Sequence, residues 1–230
     1  MGFDPTKYKV KEPKKLPVVL LLDVSGSMAG EKIASLQQSV DEMLDCFVRE
    51  KRKETRIEVA IITFGRAVQL HTPYTEAEEL QSRGVEPFRA DGMTPLGTAL
   101  RMAKDMLEDR TVTSGKMYTP AVLLVSDGAP NDMGWERELQ RFISEGRSAK
   151  CQRFALAIGQ DADRKMLKKF SDPEVEVMVA EDASRIADSF RKFTMSVSSR
   201  TSVPAATGVS DPAIPCAHVE PKQEEEERWF

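Results

Sequence analysis

The chain alternates short apolar runs with longer segments in which apolar residues recur every three or four positions. The runs are rich in Val, Ile and Leu, which is typical of strands covered on both faces. The longer segments have the period of helices with one buried face. The runs predict strands at 18–23, 57–64, 67–70, 121–125, 154–158 and 175–179. The periodic segments predict helices at 31–49, 95–108, 135–146, 163–170 and 183–197.

Strands that alternate with helices predict an α/β fold, a three-layer, Rossmann-like sandwich with a mostly parallel central sheet. The run 67–70 follows 57–64 after a turn at Gly65, so we expect one antiparallel edge strand. Two helices have a clear apolar stripe that should face the sheet. These stripes consist of Ile33, Leu36, Val40, Met43, Leu44 and Phe47, and of Leu96, Ala99, Leu100, Ala103 and Leu107.

The 230 residues are enough for one domain with extensions. We place the domain at 16–197. Residues 1–15 form a basic N-terminal extension with five lysines and two acidic residues. Residues 198–230 are rich in Ser, Thr, Pro and Ala, and they contain Glu224–Glu227 followed by Arg228-Trp229-Phe230. This composition predicts a flexible acidic tail.

Overall composition excludes several classes of protein. The net charge of −4 gives no indication of a nucleic-acid partner. No apolar run approaches the length of a membrane span, and the first residues lack the apolar region of a signal peptide. The three cysteines are odd in number and widely spaced, which favours reduced thiols. We therefore expect a cytoplasmic protein without a membrane or nucleic-acid partner.

Oxygen-bearing side chains follow two of the predicted strands and precede one helix. Asp23, Ser25 and Ser27 come directly after the first apolar run, Asp127 follows the run 121–125, and Thr94 precedes the helix that starts at Pro95. Because the carboxyl ends of parallel strands share one edge of a sheet, we expect these side chains to lie close together.

A Mg²⁺ ion coordinates six oxygens and usually keeps several waters. The hydroxyls of Ser25, Ser27 and Thr94, together with waters held by Asp23 and Asp127, would satisfy it. The protein would then contribute only two negative charges, so the ion would accept an incoming carboxylate. Mn²⁺ or Ca²⁺ is possible at the same donors.

The five positions resemble the metal-ion-dependent adhesion site of von Willebrand factor type A domains, which has the pattern Asp-x-Ser-x-Ser with a later Thr and a later Asp. The resemblance covers the whole predicted domain between the two extensions. It implies that Ser25, Ser27 and Thr94 contact the metal directly, while Asp23 and Asp127 act through water.

Within that superfamily, three segments are similar to TerY-type bacterial proteins. They are Leu16-Pro17 before the first strand, Gly92–Leu100, which reads GMTPLGTAL, and Ser126–Gly128, which reads SDG. The resemblance implies a setting in tellurium resistance or stress response. It also implies partners that include a Ser/Thr protein kinase and a metal-dependent phosphatase.

The expected activity is non-catalytic capture of a partner's Asp or Glu, and an enzymatic alternative stays open. A haloacid-dehalogenase-type phosphatase also begins with a strand that leads into an Asp loop. Its second Asp, the acid/base, is replaced here by Ser25. No phosphate-binding P-loop occurs in the sequence. A metal-dependent phosphatase or a phosphotransfer accessory enzyme is therefore the alternative.

Other side chains near the predicted site are candidates for partner contacts. Met28 follows the first motif and could be exposed, while Trp135 is either a partner anchor or a residue packed on the core. We expect Ser126 to hydrogen-bond its own loop rather than the ion, with a contact to the ion's water-mediated outer ligands as the alternative. A Glu of the tail could also complete the metal site of its own or another copy, so the alternatives are a monomer and tail-mediated self-association.

Overall fold

The structure is a computed structural model that describes residues 13–49 and 55–200. The strands are β1 (Lys14–Asp23), β2 (Thr55–Phe64), β3 (Val68–Glu76), β4 (Ala121–Ser126), β5 (Gln152–Ile158) and β6 (Met178–Ala180). The helices are α1 (Glu31–Arg49), α2 (Ala77–Arg83), α3 (Leu96–Glu108), α4 (Trp135–Ser144), α5 (Arg164–Phe170) and α6 (Ile186–Arg200). Short 3₁₀ turns lie at Gly26–Met28, Ser148–Lys150 and Ala183–Arg185.

The six strands form one sheet in the order β3-β2-β1-β4-β5-β6. All neighbouring strands are parallel except β3, which pairs antiparallel with β2 at the edge. This arrangement confirms the predicted fold class. The chain builds the sheet outwards from β1 in one direction and then from β4 in the other, so the strand order reverses between β1 and β4. In open α/β sheets this switch point is the usual place for a ligand.

Successive side chains of the central strands point to opposite faces of the sheet, so two separate cores form, one on each side. Leu20 and Leu22 face a core that includes residues of α1 and α6. Leu21 faces the other core, which includes residues of α3, α4 and α5. The predicted apolar stripes of α1 and α3 are confirmed, although Ile33 is only partly buried. Since β1 is covered on both faces, its end is held rigidly.

Several element bounds differ from the predicted ones. Strand β1 begins at Lys14 because its first residues pair with β2, and β3 extends to Glu76 and leads into α2, which was not predicted. The last strand is shorter and later than expected because Val175 takes part in a turn, donating its N–H to the Asp172 carbonyl.

The chain ends lie partly outside the described residues. Strand β1 begins at Lys14, inside the predicted extension 1–15, and α6 continues to Arg200, beyond residue 197. The domain boundaries at 16 and 197 stay predictions. The predictions for residues 1–12 and 201–230, including the acidic tail, lie outside the described residues. None of the helices within 13–49 and 55–200 has the length and apolar character needed to cross a bilayer.

Candidate metal centre

The carboxyl ends of β1 and β4 are joined by the Asp23 carboxylate. Its Oδ1 accepts the backbone N–H of Ser25 at 2.9 Å, and its Oδ2 accepts the Ser126 hydroxyl at 2.7 Å. The side chain is fully buried, and burial raises the pKa of Asp23 although these hydrogen bonds oppose the shift. Ser126 therefore bonds across to β1, in addition to longer 3.4 Å contacts with Gly128 of its own loop.

Four of the five predicted site residues form one continuous chain of polar contacts. The Ser25 and Ser27 hydroxyl oxygens lie 3.1 Å apart, and the Ser27 hydroxyl donates to Oδ1 of Asp127 at 2.7 Å. Together with the hydrogen bond between Asp23 and Ser25, these contacts connect the end of β1 with the loop after β4. The 3₁₀ turn at Gly26–Met28 produces them, because the turn places both serines at the edge between the two strands.

Lys32, which the sequence analysis did not identify, belongs to the same cluster. Its ammonium donates to Oδ2 of Asp127 at 2.6 Å. The Asp127 side chain is fully buried, while that of Lys32 is 32% exposed. The sequence contained one usable signal, since Lys32 lies in the first turn of α1, directly after the Asp-x-Ser-x-Ser motif.

Thr94 is positioned by its backbone against the loop that follows Asp127. Its N–H donates to Oδ1 of Asn131 at 3.1 Å, and the Asn131 N–H returns to the Thr94 carbonyl at 3.2 Å. Asp132 accepts the N–H groups of Gly97 and Thr98 at the start of α3, at 3.1 and 2.9 Å. Asn131 and Asp132 were not predicted, and they fix the Thr94 loop to the loop that carries Asp127.

The loop before Thr94 also contacts the first motif directly. Gly92 accepts the N–H of Gly26 at 3.0 Å, and it has a φ of 80°, a conformation that favours glycine. A Cβ on Gly92 would lie 2.5 Å from the backbone of Arg66, so a larger residue does not fit. Three loops therefore meet through backbone contacts, which brings all five predicted residues to one edge of the sheet.

The structure corrects the expectation for Met28 and favours one of the two alternatives for Trp135, the residue packed on the core. Met28 is fully buried, so the prediction that it is exposed is wrong; the 3₁₀ turn directs it into the core on the α1 side. Trp135 is half-buried and packs on the other core. The exposed apolar side chains near the site are instead Met93, which is 64% exposed, and Met133, which is fully exposed.

The residues present fit a hard divalent cation. Asp23 and Asp127 are both buried, and Lys32 supplies one positive charge against these two carboxylates. One negative charge remains and attracts a second cation, and the nearby donors are hydroxyl oxygens, which suit Mg²⁺. Among the described residues, no three His, Cys, Asp or Glu side chains form a metal-binding group.

A three-layer α/β domain with this cluster at its switch point belongs to a known class of domains. The sequence profile of the von Willebrand factor type A domain matches residues 18–192. The chain therefore belongs to the von Willebrand factor type A domain family. A comparison with curated protein sequences found no match.

Solved structures show the same fold at low sequence identity. A von Willebrand factor type A protein from Catenulispora acidiphila is 18% identical with a TM-score of 0.64, covering 81% of this chain and 43% of its own. Proximal thread matrix protein 1 of the mussel byssus, with a zinc-occupied MIDAS motif, is 17% identical with a TM-score of 0.64. The alignment covers 80% of this chain and 48% of the mussel protein. This chain thus spans less than half the length of either protein.

A third structure has nearly the size of this domain. The von Willebrand factor domain of the type V pilus tip protein Mfa5 from Porphyromonas gingivalis is 11% identical with a TM-score of 0.57. The alignment covers 86% of this chain and 99% of that one. At these identities the three likenesses show the fold.

Proposed function

We propose that this chain is a non-catalytic, metal-dependent protein-interaction module that captures a partner's Asp or Glu at the candidate metal centre. The observation that carries the proposal is the cluster of hydroxyls around two buried carboxylates, of which Lys32 balances only one. Such a site gains free energy from a divalent cation, and neutral direct ligands leave that cation able to accept a further carboxylate.

In this proposal Ser25, Ser27 and Thr94 hold the ion directly, while Asp23 and Asp127 hold two of its waters. Mg²⁺ is the proposed ion because hydroxyl and water oxygens suit a small hard cation, and Mn²⁺ or Ca²⁺ is possible at the same donors. The zinc-occupied MIDAS motif of the mussel protein supports the idea that this fold holds divalent ions at such a motif. The ion supplies a Lewis-acid contact that orients the partner's carboxylate.

The contacts around the cluster favour binding over catalysis. An acid/base group must be free to exchange a proton with a substrate. Asp23 is buried between Ser25 and Ser126, and Asp127 is held by Ser27 and Lys32. The exposed Met93 and Met133 suit a partner surface, because flexible apolar side chains adapt to many shapes. The alternative remains a metal-dependent phosphatase or phosphotransfer accessory enzyme.

We further propose a cytoplasmic setting in stress response, tellurium resistance or kinase/phosphatase signalling. The similarity of Gly92–Leu100 and Ser126–Gly128 to TerY-type proteins supports this setting. The partner would then be a protein with an exposed acidic residue, with a Ser/Thr kinase or a metal-dependent phosphatase as the first candidates.

A pulldown with three matched baits tests the proposal. Wild-type, Asp23→Ala and Asp91→Ala chains are incubated with native cytoplasm in Mg²⁺ or in EDTA. Asp91 is the control because its side chain is exposed near the same loops. We expect one partner to be retained by wild type and Asp91→Ala in Mg²⁺ only, and by Asp23→Ala in neither. Binding that survives EDTA and Asp23→Ala would overturn the proposal, and phosphate release by the purified chain would favour the enzymatic alternative.

A further inference from the structure

The pole of the sheet opposite the candidate metal centre contains two adjoining cavities. One, of about 870 Å³, lies between the start of β1, the end of β3 and the loop 111–117. The other, of about 400 Å³, lies between the end of α3, the same loop and the turn before β5. Ser114 and Met117 line both, so the two cavities are neighbours, and together they are here called the basic pole.

Positive side chains dominate the lining of the basic pole. They are Lys14, Lys15 and Lys116 in the first cavity and Arg110, Arg147 and Lys150 in the second. Among the described lining residues, the acidic side chain is Glu58, and it already accepts a hydrogen bond from Lys15 at 2.6 Å. The chain as a whole carries a net charge of −4, so this concentration of positive charge is local.

One of these cations has an unused donor. Nη1 of Arg147 is buried and has no hydrogen-bond partner among the described residues. The backbone around it is fixed, because Oε1 of Glu108 accepts the N–H groups of Arg147 and Ser148 at 2.7 and 3.2 Å. Buried donors are nearly always paired. The guanidinium of a residue whose backbone is fixed suits an anionic acceptor, and a carboxylate matches its geometry well.

The basic pole also has apolar surface. Pro13, Pro73, Val112 and Met117 line the first cavity, and the Val112 side chain is 41% exposed. The Lys14 ammonium lies 4.2 Å from the centre of the Tyr118 ring, which shows that cation and aromatic groups already pack together there. A matching ligand would combine several carboxylates with a large apolar side chain.

The chain itself contains such a segment. Glu224–Glu227 is followed by Arg228, Trp229 and Phe230. We propose that residues 224–230 bind intramolecularly at the basic pole, with the glutamates against its lysines and arginines and an aromatic ring on its apolar wall. The tail would then leave the metal centre accessible, in contrast to the alternative in which a tail glutamate occupies that site.

Chain topology places the start of the tail at the same pole. Helix α6 begins after β6, at the carboxyl ends of the strands, and packs beside α1 on its way to Arg200. A flexible coil with as many residues as the segment 201–223 would have a root-mean-square span of about 27 Å. Passing from one helical layer to the other requires on the order of 20 Å. Reaching the metal centre also requires the length of β1, about 33 Å at 3.3 Å per residue.

Carbodiimide cross-linking of the full chain, followed by mass spectrometry, tests this proposal. The reagent joins carboxylates to amines in direct contact. We expect Glu224–Glu227 to be joined chiefly to Lys116, Lys150 or Lys14. Mixing isotope-labelled and unlabelled chains will show whether the joined residues belong to one molecule, and we expect that they do. Links chiefly to Lys32, links only between two chains, equal links to exposed lysines such as Lys165, or no links at all would each overturn the proposal.

Matched variants separate specific docking from general attraction. Arg110→Glu reverses an exposed charge of the basic pole, and Arg164→Glu makes the same change on α5, near the other pole. We expect Arg110→Glu, and separately Trp229→Ala with Phe230→Ala, to lower the yield of the Lys116 and Lys150 links roughly fivefold or more. Arg164→Glu should leave the yield unchanged. Equal yields in all four proteins would overturn the proposal.

Discussion

Lys32 and Asp127 form an ion pair in the middle of the candidate metal centre, with the Lys32 ammonium 2.6 Å from Oδ2 of Asp127. This pair balances the charge of one of the two buried carboxylates. The other, Asp23, accepts hydrogen bonds from neutral groups among residues 13–49 and 55–200, namely the Ser25 N–H and the Ser126 hydroxyl. The ammonium and a bound cation would both be attracted to Asp127. The ion pair is therefore expected to oppose metal binding while it stabilises the metal-free fold.

Replacing Lys32 by Met should change these two properties in opposite directions. Without metal, Lys32→Met should lower Tm by a few degrees, because Asp127 loses its charged partner. With metal, the dissociation constant for Mg²⁺ should fall about fivefold, which corresponds to about 1 kcal/mol for a partly exposed pair. Calorimetric titration and thermal melts in EDTA measure the two effects, with the exposed Lys165→Met as control. An unchanged dissociation constant would show that Lys32 does not compete.

Replacing Asp23 by Asn should stabilise the metal-free protein. Burial raises the pKa of Asp23, so the ionised form costs free energy of folding at neutral pH. This cost decreases as the pH falls through the folded pKa, and it is gone below the unfolded pKa. At pH 7 in EDTA, Asp23→Asn should therefore melt a few degrees higher, since about 1 kcal/mol moves Tm by 2–4 °C at this chain length. Added Mg²⁺ should raise Tm of wild type and of Asp91→Asn but not of Asp23→Asn. A lower Tm in EDTA would contradict this reasoning.

Replacing Thr94 by Val should weaken metal binding without loss of the fold. The two side chains have nearly the same shape, and the contacts of Thr94 with Asn131 use its backbone N–H and carbonyl, which Val retains. Loss of one ligand oxygen should raise the dissociation constant for Mg²⁺ roughly tenfold or more. Thr98→Val is the matched control, because the Thr98 hydroxyl bonds to Asp132 at 3.2 Å. Equal weakening in both variants would remove Thr94 from the proposed ligands.

Replacing Glu108 by Gln should destabilise the loop that carries Arg147, in a manner that depends on pH. Burial acts to raise the pKa of Glu108, but the N–H groups of Ser148 and Arg147 and the Lys104 ammonium lower it overall. A carboxyl group whose pKa is lowered by folding stabilises the protein at pH values above its pKa in the unfolded chain. This stabilisation is lost as the pH falls through its pKa in the folded protein. We expect Glu108→Gln to lower Tm by about 2–4 °C at pH 7 and much less at pH 3.

Thermal melts between pH 3 and 7, with the exposed Glu181→Gln as control, measure this difference. A deficit of equal size at both ends of the range would mean that the carboxylate charge of Glu108 contributes nothing.

Sequence patterns predicted the fold because the burial of a strand or of a helix face requires apolar residues at regular positions within that element. The run before Asp23 is apolar at every position, and the stripes of α1 and α3 repeat with the helical period, so each element could be recognised without its neighbours. The short strand β6 was placed too early. This strand has only three residues, so its sequence pattern is weak. A turn that includes Val175 delays the start of its pairing with β5.

Order along the chain was also enough to nominate Asp23, Ser25, Ser27, Thr94 and Asp127 as neighbours, because parallel strands bring their carboxyl ends to one edge. Whether these residues hold a metal stays a prediction. Side-chain direction could not be predicted in the same way. Met28 was a candidate for an exposed partner contact, and the 3₁₀ turn buries it.

The sequence by itself determined the sheet, its two apolar cores and the meeting of three polar loops, since all of these follow from periodicity and strand direction. Only the tertiary structure decided which charges meet. The Lys32–Asp127 pair, the hydrogen bonds of Asn131 and Asp132 to the Thr94 loop and the start of α3, and the hydrogen bonds of Glu108 to Arg147 and Ser148 join residues from separate elements. Contacts of this kind depend on distances of a few ångströms between side chains far apart along the chain, and no local pattern records them.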